Sequence, residues 1–316
     1  MTNKVTIIGA GSVGATIAYL LVANGPVSEI VLIDINREKA KAEAMDIVQA
    51  TPYLNSTKIY EGSYEDAKGS DIVIITSGVG RKPGQSRIDL TQTNVNILKS
   101  IAPEIVKYVP DALFLIVANP VDVLTYVFCK ITGIPEKRVI GTGTSLDTIR
   151  LRTRLSEIYS VNQKQVHAYV LGEHGDSSFV AWSNADISGI HLEDYEKCAT
   201  DKNGLTISEY DHAEVEEYVK KSGGKIIAGK GATFYGIATC VCHLVKIIYS
   251  GADTVTPIST MMHGEYGVSD VALSTLCLLG PEGIKTTLTP KLSDEEVAKF
   301  QNSAQVLKDV IAQIQI

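Results

Sequence analysis

The sequence has no excess of basic charge. Its 29 Lys and Arg stand against 36 Asp and Glu, a net charge of −7. Nucleic-acid binding normally shows a basic stripe that neutralises phosphates, and none is present, so no nucleic-acid partner is expected. Cysteine is scarce. Cys129, Cys198, Cys240, Cys242 and Cys277 are odd in number and have no zinc or redox spacing. Reduced thiols in a cytoplasmic protein, without a metal site, are the expectation. Neither a Gly-x-Ser-x-Gly elbow nor a His-Glu-x-x-His pair occurs, which leaves serine-hydrolase and zinc-protease chemistry without an anchor. Long apolar runs are also missing, with one apparent exception. From Val5 to Ser28 no residue is charged and Lys4 stands just before, a pattern compatible with a signal peptide or membrane anchor. Gly9, Gly11 and Gly14 interrupt it, and the pattern changes at Gly9 from β-branched Val5, Thr6, Ile7 and Ile8 to a helical run. A buried strand, a turn and a buried helix explain the missing charges without a membrane.

What is present is ordinary for a soluble chain: 45% hydrophobic and 21% charged residues, too much core-forming material for disorder. At about 150 residues per domain, 316 residues predict two. Over the first half, apolar runs at Lys4–Ile8, Ile30–Asp34, Asp71–Ser77, Leu113–Ala118 and Arg138–Gly141 alternate with helical patterns at Val13–Asn24, Arg37–Gln49, Gln92–Tyr108 and Val121–Thr132. Near-continuous runs such as Ile72-Val73-Ile74-Ile75 suit strands buried on both faces, so the alternation predicts an α/β Rossmann-type parallel sheet over residues 1–143. After Gly143 the rhythm loosens. Strands are expected at Val166–Leu171, Thr254–Met262 and Val268–Leu279, and helices at Leu146–Tyr159 and Ser208–Ser250. Ser293 and Glu296 form a capping-box pattern ahead of a last helix. Residues 144–316 are therefore expected to form a mixed α+β substrate domain.

Gly9-Ala10-Gly11-Ser12-Val13-Gly14 lies between a predicted strand and helix, and Asp34 follows Gly14 by 20 residues at the end of the next strand. Gly9 allows the tight turn, Gly11 lets backbone approach a pyrophosphate, and Gly14 lets helix pack on strand. The helix N-terminus offers unpaired N–H groups to phosphate. Asp34 can accept hydrogen bonds from ribose hydroxyls and would repel a 2′-phosphate, so NAD is expected rather than NADP. A second glycine-rich stretch ending Gly229-Lys230 mimics a P-loop, but Gly231 stands where Ser or Thr is needed.

Hydride transfer needs a proton donor, a carbonyl polariser and a substrate anchor from the protein. His174, in Gly172-Glu173-His174-Gly175-Asp176 after a predicted strand, can exchange a proton near working pH. A structural or solvent-facing histidine is the plainer alternative. Asp147 could orient it, and Arg150 could clamp a carboxylate with two parallel hydrogen bonds. By spacing alone, Asp147 and Arg150 could equally be a surface i, i+3 ion pair. The glycine-hinged segment from Gly78 to Arg87, with Arg81, Lys82 and Arg87, reads as a mobile lid at the carboxyl edge of the sheet or as a solvated basic loop.

Together these motifs resemble the lactate/malate dehydrogenase family over nearly the whole chain. The resemblance rests on the glycine fingerprint with Asp34, the lid through Arg87, Asn119-Pro120-Val121-Asp122, Asp147 to Arg150, Gly172 to Ser177, and Lys230-Gly231-Ala232-Thr233. It implies that His174 is the acid/base, that Asp147 orients it, and that Arg150 binds the C1 carboxylate. Arg87 would polarise the keto oxygen, Asn119 would contact substrate beside the nicotinamide, and Thr233 would border the substrate side chain. It also implies cofactor contacts from Val13, Lys39, Tyr64, Gly78, Val79, Ala118, Asn119 and Thr142, and adds Asp122 to the substrate contacts. Some bacterial members are activated by fructose 1,6-bisphosphate, and their phosphate-binding arginine and histidine match Arg152 and His167. Homotetramers or homodimers are implied by the family alone.

One position departs from the lactate branch, which usually carries glutamine where this lid has Arg81. The malate branch has arginine there, to pair with a second carboxylate. An arginine closed over pyruvate without a partner would be costly. Glu173, Ser177, Thr233, Arg152 and His167 point instead to the lactate branch. Pyruvate and lactate are therefore the expected pair. Oxaloacetate and malate, and a non-catalytic NAD-binding sensor on the same fold, are the alternatives.

Overall fold

The computed structural model describes residues 3–80, 84–198 and 204–316. Its first half alternates β1 (Lys4–Ile8), α1 (Ser12–Asn24), β2 (Glu29–Ile33), α2 (Arg37–Val48), β3 (Lys58–Glu61), β4 (Ile72–Ile75), α3 (Arg87–Tyr108), β5 (Leu113–Ile116), α4 (Val121–Thr132) and β6 (Val139–Gly141). These six strands pair in parallel in the order β6-β5-β4-β1-β2-β3. The order reverses between β1 and β4, and a doubly wound sheet opens a crevice beyond the carboxyl ends of its strands at that point. The uncharged N-terminal run forms most of β1, the turn after it and α1. Val5, Ile7, Ile17, Ala18, Leu21 and Val22 are fully buried, each larger side chain worth about 1.5–3 kcal/mol of transfer free energy. Among the described residues no helix is long and apolar enough to cross a membrane.

The second half contains α5 (Ser145–Tyr159), short strands β7 (Val166–His167), β8 (Val170–Leu171), β9 (Phe179–Val180), β10 (Asp186–Ile187) and β11 (Ile190–His191), then α6 (Leu192–Tyr195), α7 (His212–Lys230) and α8 (Tyr235–Ser250). It closes with β12 (Thr254–His263), β13 (Ser269–Gly280), β14 (Gly283–Leu288) and α9 (Asp294–Ile311). Strands β12 to β14 extend the first sheet. They form an antiparallel meander joined to β6 through Ser259 and Gly141, which makes one nine-stranded sheet.

Several boundaries differ from the sequence expectations. The strand expected over Asp71–Ser77 ends at Ile75, so residues from Thr76 onward leave the sheet and form the crevice wall. Helix α3 begins at Arg87 rather than Gln92, because the Ser86 side chain accepts from Asp89 N and caps an earlier turn. The single helix expected over 208–250 is two helices. Gly231, at φ +84°, ends α7 in the left-handed region, and Thr233 lies in the break. The expected Val166–Leu171 strand is two short ones. Strands β3, β9, β10, β11 and β14 and the short helix α6 have no counterpart among the sequence expectations. β3 has only four residues, one of them exposed, and too little alternation to register. The capping box at Ser293 and Glu296 is formed on both sides.

Candidate active site

The turn after β1 is built by glycine. Gly9 has φ +110°, and a Cβ there would stand 2.5 Å from Thr76 Oγ1. At Gly14 a Cβ would lie 1.8 Å from the Gly9 carbonyl oxygen, so helix and turn touch directly. At Gly11 a Cβ would meet no protein atom within 4 Å. That face of the turn is left to a ligand, and no side chain caps the N-terminal amides of α1. The half-buried Asp34 directly follows β2. Its carboxylate accepts from Ala10 N at 2.6 Å and Asn36 N at 2.8 Å. A dinucleotide fits this set of donors, contacts and open space.

Two cavities adjoin here. One, of about 190 Å³, is lined by Val13, Thr76, Gly78, Val79, Gly80, Val117, Ala118 and Asn119. The other, of about 310 Å³, shares Val13, Val117 and Asn119 and adds Thr142, Leu146, Asp147, Arg150, His174 and Thr233. The shared wall places the nucleotide crevice against the groups capable of proton transfer and anion binding.

Helix α5 carries the first two of those groups. Asp147 and Arg150 lie one turn apart, and Arg150 Nη1 donates to Asp147 Oδ1 at 2.9 Å. The surface-pair reading fails, because both side chains are largely buried, at 8% and 13% exposure. The other oxygen of Asp147 lies 2.5 Å from His174 Nδ1. Burial pushes the Asp147 carboxyl up, but the charges of His174 and Arg150 outweigh it and hold the pKa below the ordinary aspartate value. Burial likewise pushes His174 down, and the Asp147 charge and hydrogen bond more than reverse it, raising the pKa to about 8. With Nδ1 engaged, Nε2 is the nitrogen left to exchange a proton with substrate.

The raised value has a direct consequence. If this ring donates the proton in the reduction of a keto group, that rate should hold below about pH 8 and fall above it. Oxidation of the alcohol needs the neutral ring and rises through the same range. The pH profiles of kcat/KM in the two directions should cross there; two flat profiles would remove His174 from the proton transfer. Because the folded value lies above the ordinary histidine value of 6.5, the stability that the charged ring contributes is complete below about 6.5 and is lost as pH rises through about 8.

Asp122, expected among the substrate contacts, lies away from both cavities. It is 2% exposed, borders neither cavity, and accepts the backbone N–H of His174 at 2.7 Å. It supports the histidine from beneath. Burial pushes its carboxyl up to about 6. Its Oδ1 and the Ser259 hydroxyl both lack a hydrogen bond within bonding geometry, although the hydroxyl lies near enough to ease the shift. Lys39 is exposed on the first turn of α2, and Tyr64 is half-buried against the core cluster around Val31 and Ile33. Neither borders the two cavities. Arg81 lies outside the described residues. Arg152 and His167 lie outside both cavities: Arg152 Nε donates to Ala168 O at 3.2 Å, its guanidinium sits over the Tyr169 ring, and His167 is exposed beside Ala168 in sequence. Arg87 opens α3 with its side chain half-exposed and paired to Glu173.

The sequence reading missed Asn94, Lys220, Gly223, Gly224 and Ile227. Asn94 is 2% exposed on the core face of α3. It accepts from Val79 N at 2.8 Å and donates to Val79 O at 3.1 Å and Asn119 O at 2.8 Å, tying Val79 to Asn119 in the wall of the smaller cavity. A polar residue within the apolar stripe of Val95, Leu98, Ile101 and Ala102 was the available signal. Lys220, Gly223, Gly224 and Ile227 all line the larger cavity. Their spacing of three and four residues puts them on one face of α7.

Comparison with known proteins agrees with this geometry. Residues 3–141 match the lactate/malate dehydrogenase NAD-binding domain, and residues 144–315 match the lactate/malate dehydrogenase alpha/beta C-terminal domain. An L-lactate dehydrogenase of Thermoanaerobacterium saccharolyticum is 44% identical over 314 residues, covering 99% of this chain and 100% of its own. One of Clostridium botulinum (strain Langeland) is 43% identical over 310 residues, covering 98% and 96%. The ligand-bound structure of the minor L-lactate dehydrogenase of Enterococcus mundtii superposes with a TM-score of 0.94 at 36% identity, covering 100% of this chain and 99% of that one. Both halves of the chain, in the same order and over nearly their full length, thus place it in the lactate/malate dehydrogenase family, with NAD as its cofactor.

Proposed function

We propose that the protein interconverts pyruvate and (S)-lactate with NAD, as an L-lactate dehydrogenase, residues 1–143 serving as the nucleotide domain and 144–316 as the substrate domain. The observation that carries this reading is the convergence of His174, Asp147 and Arg150 on a cavity that shares a wall with the nucleotide crevice. Gly9, Gly11, Gly14, Val13 and Asp34 hold the dinucleotide, with Gly78, Val79, Ala118, Asn119 and Thr142 along its nicotinamide end. When bound, NADH supplies the hydride that goes to C2 of the keto acid. The guanidinium of Arg150 takes the C1 carboxylate as a fork, a geometry lysine cannot reproduce. His174 gives a proton from Nε2 to the C2 oxygen, and Asp147 stabilises the imidazolium before the transfer. Arg87 supplies an N–H to the same oxygen as negative charge develops, and Thr233 borders the substrate methyl.

The substrate test compares kcat/KM for pyruvate and oxaloacetate, read as loss of NADH absorbance, with and without fructose 1,6-bisphosphate. Pyruvate is expected to win, and Arg81→Gln should move the ratio further toward it. A preference for oxaloacetate of about tenfold or more, the size of discrimination a single binding contact supplies, would replace pyruvate by the dicarboxylate. Activation by the sugar bisphosphate is expected at Arg152 and His167, two residue types suited to phosphate. The same reading makes the protein a cytoplasmic homotetramer or homodimer. All five cysteines are free thiols, which suits a reducing compartment.

A further inference from the structure

Glu173 precedes His174 and is 2% exposed, yet no role in the reaction has been given to it. Both of its oxygens are engaged. Oε1 accepts from Arg87 Nη2, and Oε2 accepts from the Ser177 hydroxyl at 2.5 Å. Ser177 is held in turn by α9, where the Ser303 hydroxyl donates to its carbonyl at 2.6 Å. The carboxylate is thus clamped from the substrate-domain side and presents one oxygen to the guanidinium that opens α3. The backbone is shaped around this pair. A Cβ at Gly175 would stand 2.7 Å from the Glu173 carboxyl carbon and 3.1 Å from Arg87 Nη2. The arginine therefore lies directly against the residue that follows His174.

We propose that Glu173 is a positioning residue for the reaction: it holds the Arg87 guanidinium beside His174, so that the polarising N–H and the proton donor meet the same substrate oxygen. The proposal rests on the reading of Arg87 as the polarising group. Three physical points support it. A half-exposed arginine at a helix start has many rotamers, and a fixed acceptor selects one of them. The alternative acceptor, Asp176, is 3.8 Å from Nη1 and almost fully exposed, where an ion pair orients little. Arginine has five N–H donors, so satisfying Glu173 with one leaves others for substrate.

A double-mutant cycle tests this with the full-length enzyme and NADH. Arg87→Gln alone should lower kcat for the keto acid by about 10²–10³-fold, as for loss of an oxyanion donor. Glu173→Gln alone should lower kcat by on the order of 10–10²-fold through a misplaced donor, with KM changed by less than about threefold. In the Arg87→Gln background, Glu173→Gln should change kcat by less than about twofold, because its effect passes through the arginine. Equal losses in both backgrounds would show a merely structural acid and overturn the proposal while leaving the role of Arg87 intact. An unchanged kcat in Arg87→Gln would overturn the proposal together with the reading beneath it. Should Glu173→Gln not fold, Ser177→Ala frees only Oε2. It should give a smaller loss that likewise vanishes when Arg87 is replaced, and a loss that persists there overturns the proposal.

Discussion

Replacing His174 by Asn is expected to lower kcat for pyruvate reduction by about 10²–10⁴-fold, the usual contribution of a positioned general acid. NADH affinity, read by fluorescence titration, should stay within about threefold, since the coenzyme crevice is built by other residues. The size follows from the site. One imidazole nitrogen is committed to Asp147 at 2.5 Å, and the ring lines a cavity that Arg150 also lines. Asp147→Asn should fall in the same direction, because an amide cannot stabilise the imidazolium. It should also move the pH limb downward from about 8, since burial alone pushes His174 toward the neutral ring. A His174→Asn variant as fast as the parent would place the proton transfer on another group.

The second large effect belongs to Arg150. Replacing it by Gln should raise KM for pyruvate by on the order of 10²–10³-fold, as expected when one partner of a desolvated charge pair is removed. A steady-state titration with pyruvate at saturating NADH reads it. Lysine keeps the charge but loses the fork, so Arg150→Lys should lie between Gln and the parent. Arg150 also opposes protonation of His174 through its charge. The Gln variant should therefore shift the pH limb upward, opposite to Asp147→Asn. An unchanged KM would mean that the substrate carboxylate is held elsewhere. A shift of the limb in the wrong direction would mean that the three charges do not act as one unit.

The glycine fingerprint was legible because each glycine answers a local demand: a left-handed turn at Gly9, helix contact at Gly14 and an open face at Gly11. The run Ile72-Val73-Ile74-Ile75 announced a doubly buried strand, and the capping box at Ser293 announced a helix start. Asp147 and Arg150 could be named but not told apart from a surface pair, because spacing carries no information about burial. The burial of Asp122 was hidden for the same reason. Asn119, three residues earlier, lines both cavities, yet the Asp122 carboxylate on α4 accepts the His174 backbone N–H and does not line either one.

By itself, then, the order of residues determined what depends on neighbours along the chain: strand and helix periodicity, the nucleotide turn, the acid at the end of β2, and the residue types needed for hydride transfer. Only the tertiary structure decided what depends on burial and on contacts far apart in sequence. It tied Asp147 to His174 across 27 positions and Arg87 to Glu173 across 86. It tied Val79 to Asn119 through Asn94, broke the long second-half helix at Gly231, and carried β12 onto β6. The reason is electrostatic as much as geometric. A carboxylate acquires its charge state, its partner and hence its task from the dielectric and the donors around it, and those are assembled only when the two halves of the chain close on one another.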